Sequence, residues 1–572
     1  MTIASAPRSK RGATAAWHQF VPKLVSVLRQ GYGLAEFRHD VFAGLTVAVV
    51  ALPLAMALAI ASGATPEKGL HTAIIAGFLI SALGGSRVQV GGPTAAFIPV
   101  VFVVIEQHGY GGMLLCTFMA GLMLIAAGLM RLGTLMKFMP QPVITGFTAG
   151  IAVSIFSSQV KDIFGLSIDR LPAEFLQRWQ AYFAHADSLN SWALTLALAS
   201  LAVILLLRRL RPQWPGFLIV VVLSSLWVSF AGLPVDTIGS RFGEIPSALP
   251  RFALPVIPID RIAQLLPSAF TIAFLAGIES LLSAVVADGM TGGRHRSNAE
   301  LVAQGIANCA SALFGGLPAT GAIARTATNV RAGARSPLSG ILHSVFLLGF
   351  MLLAAGAMSF VPLATLAAIL LMVAWNMAEI EHFKHLWRGP HGDRLVLVLT
   401  FTLTVMFDLT IAIEAGVVLA AFLFMHRMAE VVEINSGVPL IGDDGEERGE
   451  DARQRERLPS GVEAFQFAGP LFFAVANRLD TLLDAYIDAP RVLILRMRLV
   501  PLIDASGVHA LQQFLKRCAA QDTAVILSGL QTQPRKVLRK MGVVPRPGLA
   551  FAQDYEAALA LCRAVKDGAE AS

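Results

Sequence analysis

Val90-Gly-Gly-Pro-Thr-Ala-Ala-Phe97 and Gly315-Gly-Leu-Pro-Ala-Thr-Gly-Ala322 each open a short apolar segment of this 572-residue chain. The two stretches lie about seven apolar segments apart, in corresponding positions of two halves. Short segments broken by Gly and Pro in such positions are typical of inverted-repeat transporters, which place half-helices at the bilayer midplane. Their free backbone N–H groups and positive dipole ends would hold an anion at one central point. Alternatively, these residues only kink helices at packing contacts.

The composition around these motifs is that of a membrane protein. Hydrophobic residues make up 55% of the chain and charged residues 15%, and the mean hydropathy is +0.65, which excludes a water-soluble globule as the whole of the chain. A span needs about 20 apolar residues to cross a bilayer. On that basis we predict about fourteen membrane segments, at 41–61, 69–84, 92–106, 112–130, 142–157, 191–208, 216–232, 264–288, 299–314, 318–330, 339–360, 362–377, 394–408 and 410–428.

Basic residues cluster in the first forty residues and in short loops on the same side of the predicted segments. The positive-inside rule therefore predicts a multi-pass inner-membrane protein with both termini in the cytoplasm. The first forty residues lack an apolar core, so we expect a basic cytoplasmic leader and no cleaved signal peptide. This distribution of charge suits the lipid bilayer as a partner and disfavours nucleic acid.

Enzyme, metal and cofactor chemistry have no support in the sequence. Four cysteines lie far apart, without the spacing of a zinc site or of a disulfide framework, at Cys116, Cys309, Cys518 and Cys562. We also find no nucleophile with a neighbouring base and no phosphate-binding loop. We therefore expect no enzymatic activity, no metal and no cofactor.

The composition changes after Arg427 and indicates a second domain. An acidic, Gly-rich stretch at 442–451 is typical of a linker. Beyond it the pattern predicts strands at 462–467, 492–497 and 524–530, and helices at 507–519 and 534–541. This alternation is typical of a small α/β domain. The predicted organisation is a cytoplasmic segment at 1–40, a transmembrane transport domain at 41–430, a linker at 431–460 and the α/β domain at 461–572.

Three charges in the membrane part are candidates for function, Glu279, Arg325 and Asp408, and of these Asp408, between the last two segments, is predicted to cap the final helix. A charge near the bilayer centre costs several kcal/mol unless it faces a partner or water, so such residues are functional candidates. Glu279 lies deepest, and its alternative role is a carboxylate bonded permanently to neighbouring groups. Arg325 either attracts the anion or extends toward the cytoplasmic surface. In the tail, Asp504 and Ser506 are predicted to lie at a helix N-terminus, where capping groups are stabilised.

The chain resembles bacterial members of the sulfate permease (SulP) family, relatives of the animal anion transporters that include prestin. The resemblance covers almost the whole chain and includes a C-terminal STAS domain. It rests on motifs in the first, third, ninth and tenth segments, in the following loop and in the tail, namely Ala51-Leu-Pro-Leu-Ala-Met56, Gly91-Gly-Pro-Thr94, Gln304-Gly-Ile-Ala-Asn308, Gly315-Gly-Leu-Pro-Ala-Thr-Gly-Ala-Ile-Ala-Arg-Thr326, Asn329, Gly333-Ala-Arg-Ser-Pro-Leu-Ser-Gly340 and Asp504-Ala-Ser-Gly507.

The resemblance implies an α-helical polytopic fold of two inverted repeats of seven segments, with a core domain (segments 1–4 and 8–11) that moves past a gate domain (5–7 and 12–14). It also implies a homodimer and a cytoplasmic partner for the STAS domain. The coupling ion would be bound by Glu279 and Ser283. The implied anion-binding positions are Leu54, Leu58, Thr94, Ala95, Gly321, Ala322, Ile323, Ala324 and Arg325.

Several of these positions depart from the family pattern. Many relatives carry Gln at the position of Leu54, and prestin-like members carry Ser at that of Ala324. Sodium-coupled bicarbonate members carry Asp, Thr and Thr where this chain has Glu279, Ser283 and Ile323. Because sodium needs several converging oxygens, the missing hydroxyl favours a proton as the coupling ion over sodium.

The sequence therefore predicts a secondary active transporter of a small anion (sulfate, bicarbonate or a dicarboxylate), driven by proton symport through an elevator-like movement. A sodium-coupled symporter and an anion exchanger are the alternatives. Two other classes of protein stay open, an anion sensor and a passive anion channel. Net uptake separates a transporter from a sensor, and saturable, counter-ion-dependent flux separates it from a channel.

Overall fold

The computed structural model describes residues 19–134, 140–168, 171–211, 214–244, 246, 252–253, 261–407, 409–430, 433–436, 458–459, 461–471 and 490–569. Part of the predicted N-terminal segment, Asp408 and most of the predicted linker, including its acidic stretch at 442–451, lie outside these residues. The chain separates into two compact units, Met1–Ala420 and Ala421–Ser572. The division falls ten residues before the predicted end of the transport domain, inside the last long helix.

Helices account for nearly all the described secondary structure before residue 431. In chain order they are α1 (Lys23–Gln30), α2 (Leu34–Ala61), α3 (Pro66–Leu83), α4 (Ile98–Leu129), α5 (Gln141–Phe164), α6 (Phe175–Ala184), α7 (Ser191–Leu210), α8 (Gly216–Ala231), α9 (Ile238–Phe242), α10 (Ile262–Thr291), α11 (Ser297–Leu313), α12 (Ile323–Arg331), α13 (Leu338–Met358), α14 (Leu363–Met377), α15 (Ile380–Trp387), α16 (His391–Met406) and α17 (Leu409–Glu430). Two strands of two residues each interrupt them, β1 (Gly91–Gly92) and β2 (Thr320–Gly321).

Each predicted membrane segment coincides with one of these helices, so the chain is an α-helical, multi-pass membrane protein. The third and fourth segments share α4, which bends at Gly109, where φ is 71°. Among the described residues, seven helical stretches are long and apolar enough to cross a bilayer, Leu34–Ala61, Ala95–Leu129, Gln141–Phe164, Ser191–Leu210, Ile262–Thr291, Leu338–Met358 and Leu363–Trp387. The other predicted segments form helices that are shorter or more polar.

Small residues allow the helices of the first unit to pack closely. At the contact of α4 with α11, a Cβ on Gly121 would lie 2.7 Å from the Gly305 carbonyl oxygen, and one on Gly305 would lie 2.5 Å from that of Gly121. Lipid tails are as apolar as leucine, so helices in a membrane associate through such close backbone packing. This contact fixes α4, which begins at the first Gly/Pro motif, against α11, which leads into the second.

The second unit contains a five-stranded sheet with the order β3-β4-β5-β6-β7. β3 pairs with β4 in antiparallel orientation, and the other neighbours are parallel. The apolar core lies between sheet and helices and includes the fully buried Phe514. The elements are β3 (Glu433–Ser436), β4 (Val462–Ala468), β5 (Val492–Leu499), α18 (Ala505–Ala520), β6 (Ala524–Ser528), α19 (Thr532–Lys540), β7 (Leu549–Ala552) and α20 (Tyr555–Ala569).

The predicted strands and helices of this domain are confirmed, and the structure adds three elements that the sequence pattern did not reveal. β3 lies inside the range predicted as a linker, 431–460. The prediction missed it because four residues are too few to show a period. β7 and α20 complete the C-terminal end of the domain. At the start of α18, the Gly507 N–H donates to the Asp504 carboxylate at 2.7 Å, so the predicted helix cap is present.

Candidate anion-binding site

The two Gly/Pro motifs lie side by side in the structure. β1 and β2 pair in antiparallel orientation, with Gly91 opposite Gly321 and Gly92 opposite Thr320. The Ala322 N–H extends this contact by donating to the Val90 carbonyl oxygen at 3.0 Å. The predicted meeting of the two motifs is therefore observed directly.

Each motif leads into a helix whose N-terminus has no side-chain cap. Thr94 precedes a short 3-10 turn, Ala95–Phe97, that continues into α4, and Ala322 precedes α12. Neither residue donates or accepts a capping hydrogen bond through its side chain. The first N–H groups of a helix without a cap are free for another acceptor, and the helix dipole favours a negative one.

A buried cation lies beside this pair of helix ends. The Arg325 side chain is 3% exposed, and its Nη2 donates to the Pro93 carbonyl oxygen at 2.8 Å. Within the described residues, its Nε and Nη1 have no hydrogen-bond partner. A Cβ on Gly92 would lie 2.4 Å from Nη1, and φ of Gly92 is 149°. Glycine is required there both by the approach of the guanidinium and by the backbone conformation.

The carboxylate of Glu279, on α10, faces the first motif. The Thr94 hydroxyl donates to Glu279 Oε2 at 2.9 Å, which explains why Thr94 does not cap its own helix. Both side chains are partly exposed. In the described part of the chain, Glu279 and Arg325 form no ion pair with each other, so the guanidinium keeps two donors free.

The remaining predicted site residues have different surroundings. At the start of α12, Ile323 (38% exposed) and Ala324 are exposed. Gly321 and Ala322, just before the helix, are buried. Leu54 is partly exposed on α2. The side chains that lie in the interior are those of Leu58 (2% exposed), Ala95 (7%) and Ser283 (0%).

Ser283 has a partner that the sequence did not indicate. Its hydroxyl donates to Thr326 Oγ1 at 3.0 Å, and Thr326 Oγ1 also accepts from the Val90 N–H at 3.1 Å. Ser283 thus joins α10 to α12 next to the strand pair. Among the described residues, Glu279, Thr94 and the two helix N-termini lie together. Ser283 instead contributes to the contact between α10 and α12.

A buried carboxylate in the first turn of α11 supports the site. Glu300 is fully buried and accepts from the Ser280 hydroxyl at 3.0 Å, from Gln304 Nε2 at 2.9 Å and from the Gly85 N–H at 2.8 Å. Ser280 Oγ in turn accepts from Gln89 Nε2 at 3.0 Å. This buried network holds its members in one arrangement, and within the described residues only Gln89 Oε1 and Gln304 Oε1 among its side-chain atoms have no partner.

Sequence reasoning missed both Glu300 and Gln89. Glu300 lies in the predicted segment 299–314, and an acidic residue in a membrane segment is the signal that could have identified it. Gln89 precedes the first motif by one residue and carries no such signal. Its importance comes from contact with a residue far away in the chain, since a Cβ on Gly321 would lie 1.5 Å from Gln89 Nε2.

We expect Gly321→Ala to weaken both folding and anion binding. The added methyl would displace Gln89, which is 4% exposed and bonded to Ser280. Overpacking of this kind costs about 1–3 kcal/mol. Thermal unfolding and calorimetric titration with the anion check this. The control is Gly349→Ala, where the added Cβ meets nothing within 4 Å and alanine favours the helix. Parental stability and affinity in Gly321→Ala would show that the contact between residue 321 and Gln89 tolerates a side chain.

The fold is shared with known transporters. Murine Solute Carrier 26 family member A9, an anion transporter solved in the inward-facing state, superimposes with a TM-score of 0.86 over 98% of this chain and 97% of its own, at 18% sequence identity. Residues 37–400 match the sulfate permease family, and residues 457–558 match the STAS domain. These matches and the helical fold define the chain as a membrane anion transporter with a STAS domain.

The chain belongs to the sulfate permease family. YvdB of Bacillus subtilis, a sulfate transporter by name, is 43% identical over 524 residues, which cover 91% of this chain and 96% of that protein. The bicarbonate transporter BicA of Synechocystis is 32% identical over 521 residues, which cover 89% and 91% of the two chains. The relatives are transporters and not enzymes, in agreement with the sequence prediction.

Proposed function

We propose that this protein is a secondary active transporter that binds one small oxyanion between the N-termini of α4 and α12 and carries it by proton symport. The pairing of Gly91 with Gly321 is the observation that carries the proposal, because it brings two uncapped helix ends to one place. Arg325 adds two unpartnered donors there. Backbone N–H groups and a guanidinium together suit the oxygens of an oxyanion.

Glu279 is the proposed proton carrier. Its carboxylate accepts from Thr94, the residue that precedes the 3-10 turn before α4, so its charge lies beside the proposed anion position. Protonation would remove a negative charge there and favour anion binding. By linkage, a bound anion would favour protonation to the same extent. This reciprocity is the thermodynamic basis for symport.

A sodium-coupled mechanism is the alternative, and the contacts favour it less. Sodium needs several oxygens that converge on one point. The Ser283 hydroxyl, one candidate ligand, donates to Thr326, and residue 323 is an isoleucine without a hydroxyl. Thr94 and Glu279 remain, and they already bond to each other. Anion exchange without a coupling ion is the outcome if neither cation gradient drives uptake.

The proposal extends to the setting that the sequence predicts. We place the protein in the bacterial inner membrane as a homodimer with both termini in the cytoplasm. The proposed movement is elevator-like, with segments 1–4 and 8–11 as the core domain and segments 5–7 and 12–14 as the gate domain. Sulfate and bicarbonate enter as substrate candidates through the names of YvdB and BicA, and dicarboxylates such as succinate complete the set.

Ala322→Phe tests the position of the anion. Ala322 is 9% exposed and precedes the first turn of α12, so we expect a phenyl ring to occupy the space where the anion meets the N–H groups. Purified protein is titrated with sulfate, bicarbonate and succinate by calorimetry, and uptake is measured in proteoliposomes. We expect the parent to bind and accumulate at least one of them and Ala322→Phe to do neither.

The control is Ala357→Phe, near the end of α13 and exposed. It adds the same ring away from the proposed site and should bind and transport as the parent does. Unaltered affinity in folded Ala322→Phe would refute the placement of the anion. Flux in the parent that does not saturate would indicate a channel, and binding without net uptake would indicate a sensor.

A further inference from the structure

The STAS domain carries an unneutralised basic surface on α19 and the loop after it. No acidic residue occurs between Asp522 and Asp554, while five basic residues do. All five side chains are exposed, and in the described part of the structure none of them forms an ion pair. We call this set the basic face, and it consists of Arg535, Lys536, Arg539, Lys540 and Arg546.

The arrangement on α19 is unfavourable for the helix itself. Arg535 lies four residues before Arg539, and Lys536 lies four residues before Lys540, so like charges neighbour each other along the surface. The first turn of α19 contains no acidic residue. Arg539 and Lys540 are favoured by the helix dipole at the C-terminal end, but the two residues nearer the N-terminus gain nothing from it. A structural role therefore explains at most half of the cluster.

An apolar side chain accompanies the charges. Val544 is 43% exposed, and the exposed Pro545 and Pro547 flank Arg546 beside it. Basic residues around an exposed apolar tip are typical of surfaces that rest on a lipid headgroup layer, where the charges meet phosphates and the apolar group enters the interface.

The connection between the last long helix and the sheet of this domain is short. The last helix before it, α17, ends at Glu430, and the first strand of the sheet, β3, begins at Glu433. Residues 431 and 432 alone separate them. A tether this short gives the domain a high effective concentration at the surface of its own membrane.

We propose that the basic face of the STAS domain binds the anionic phospholipid headgroups of the membrane that holds the transport unit. The partner is identified by its chemistry, a layer of phosphate-bearing headgroups at the end of a short tether. Each Lys or Arg near such a surface strengthens binding roughly fivefold, and salt weakens the attraction.

The test uses the full chain with Val544→Cys, reconstituted into nanodiscs of phosphatidylcholine alone or mixed with phosphatidylglycerol. The rate of labelling at residue 544 by a water-soluble maleimide is followed by mass spectrometry of the peptide. Native thiols interfere little, because Cys518 and Cys562 are buried and burial raises the pKa of Cys518 to about 11. We expect labelling to be at least about fivefold slower in the anionic discs at low salt, and the difference to vanish at high salt.

Arg535→Glu with Lys536→Glu, added to Val544→Cys, separates lipid binding from folding. The exchange converts two repulsive pairs into Glu–Arg and Glu–Lys pairs in the favoured order, so the helix should be at least as stable as in the parent. Labelling should nevertheless become equal in the two kinds of disc. The control is Arg491→Glu with Lys516→Glu, which makes the same change in charge at two exposed positions, one just before β5 and one on α18. It should keep the difference in labelling rate between the two kinds of disc.

Three results would overturn the proposal. Equal labelling of Val544→Cys in both kinds of disc would show that the face does not contact lipid. Protection that inorganic phosphate produces in neutral discs would assign the face to a free anion. Protection in neutral discs that appears only with the soluble cell extract would assign it to an acidic protein.

Discussion

Arg325→Gln is expected to lower anion affinity by about 10-fold to 100-fold. The substitution removes a charged donor group whose Nε and Nη1 have no partner within the described residues. A hydrogen bond to a charged group contributes about 1.5–3 kcal/mol, and 1.4 kcal/mol corresponds to a factor of ten in the dissociation constant. Calorimetric titration with the anion that the parent binds measures the change directly.

Thermal unfolding gives an independent reading of the same variant. A ligand that binds only the folded state raises stability by about 2.7 kcal/mol at a hundred times its dissociation constant. The parent should therefore unfold at a higher temperature with saturating anion, and Arg325→Gln should lose most of that rise. The control is Arg331→Gln, an exposed arginine at the end of the same helix, which should keep it. If Arg325→Gln keeps the increase in unfolding temperature, Arg325 has a structural role and does not bind the anion.

Glu279→Gln is expected to abolish accumulation of the anion driven by a pH gradient. The amide does not titrate, but its oxygen can still accept from the Thr94 hydroxyl, so the local hydrogen bond at 2.9 Å is retained. Because the variant resembles the protonated carboxyl group, anion binding should match that of the parent at acidic pH or exceed it. Any anion exchange that remains should not depend on pH. Proteoliposomes with an imposed pH gradient measure both activities.

Glu106→Gln serves as the matched control, because Glu106 is an exposed carboxylate in the first half of α4. It should accumulate the anion at the parental rate. The same rate in Glu279→Gln would contradict proton coupling through Glu279. A strict need for sodium in the parent would instead assign the same carboxylate to the alternative ion.

The sequence predicted the class of fold because the signals for it are local. A bilayer requires long apolar helices, and each predicted segment coincides with a helix. The α/β pattern of the tail likewise predicted β4, β5, β6, α18 and α19, because alternation of apolar residues with turns is visible within each segment. β3 was missed since four residues show no period.

The meeting of the two motifs was predicted from their corresponding positions, and the structure shows it as the pairing of Gly91 with Gly321. Their matching composition and position made this inference possible. The sequence also identified Glu279 and Arg325, because a charged residue in a membrane segment is conspicuous against its apolar neighbours. In these respects the chain alone indicated the region of the candidate site.

Tertiary structure alone decided which groups in that region are free and which are occupied. Ser283 and Thr326 are 43 residues apart and bond to each other, while Arg325 keeps two donors without a partner in the described residues. Gln89 and Gly321 lie in contact although 232 positions separate them. Hydrogen bonding and close packing depend on distances in space, and spacing along the chain does not encode these distances once helices from both halves pack together.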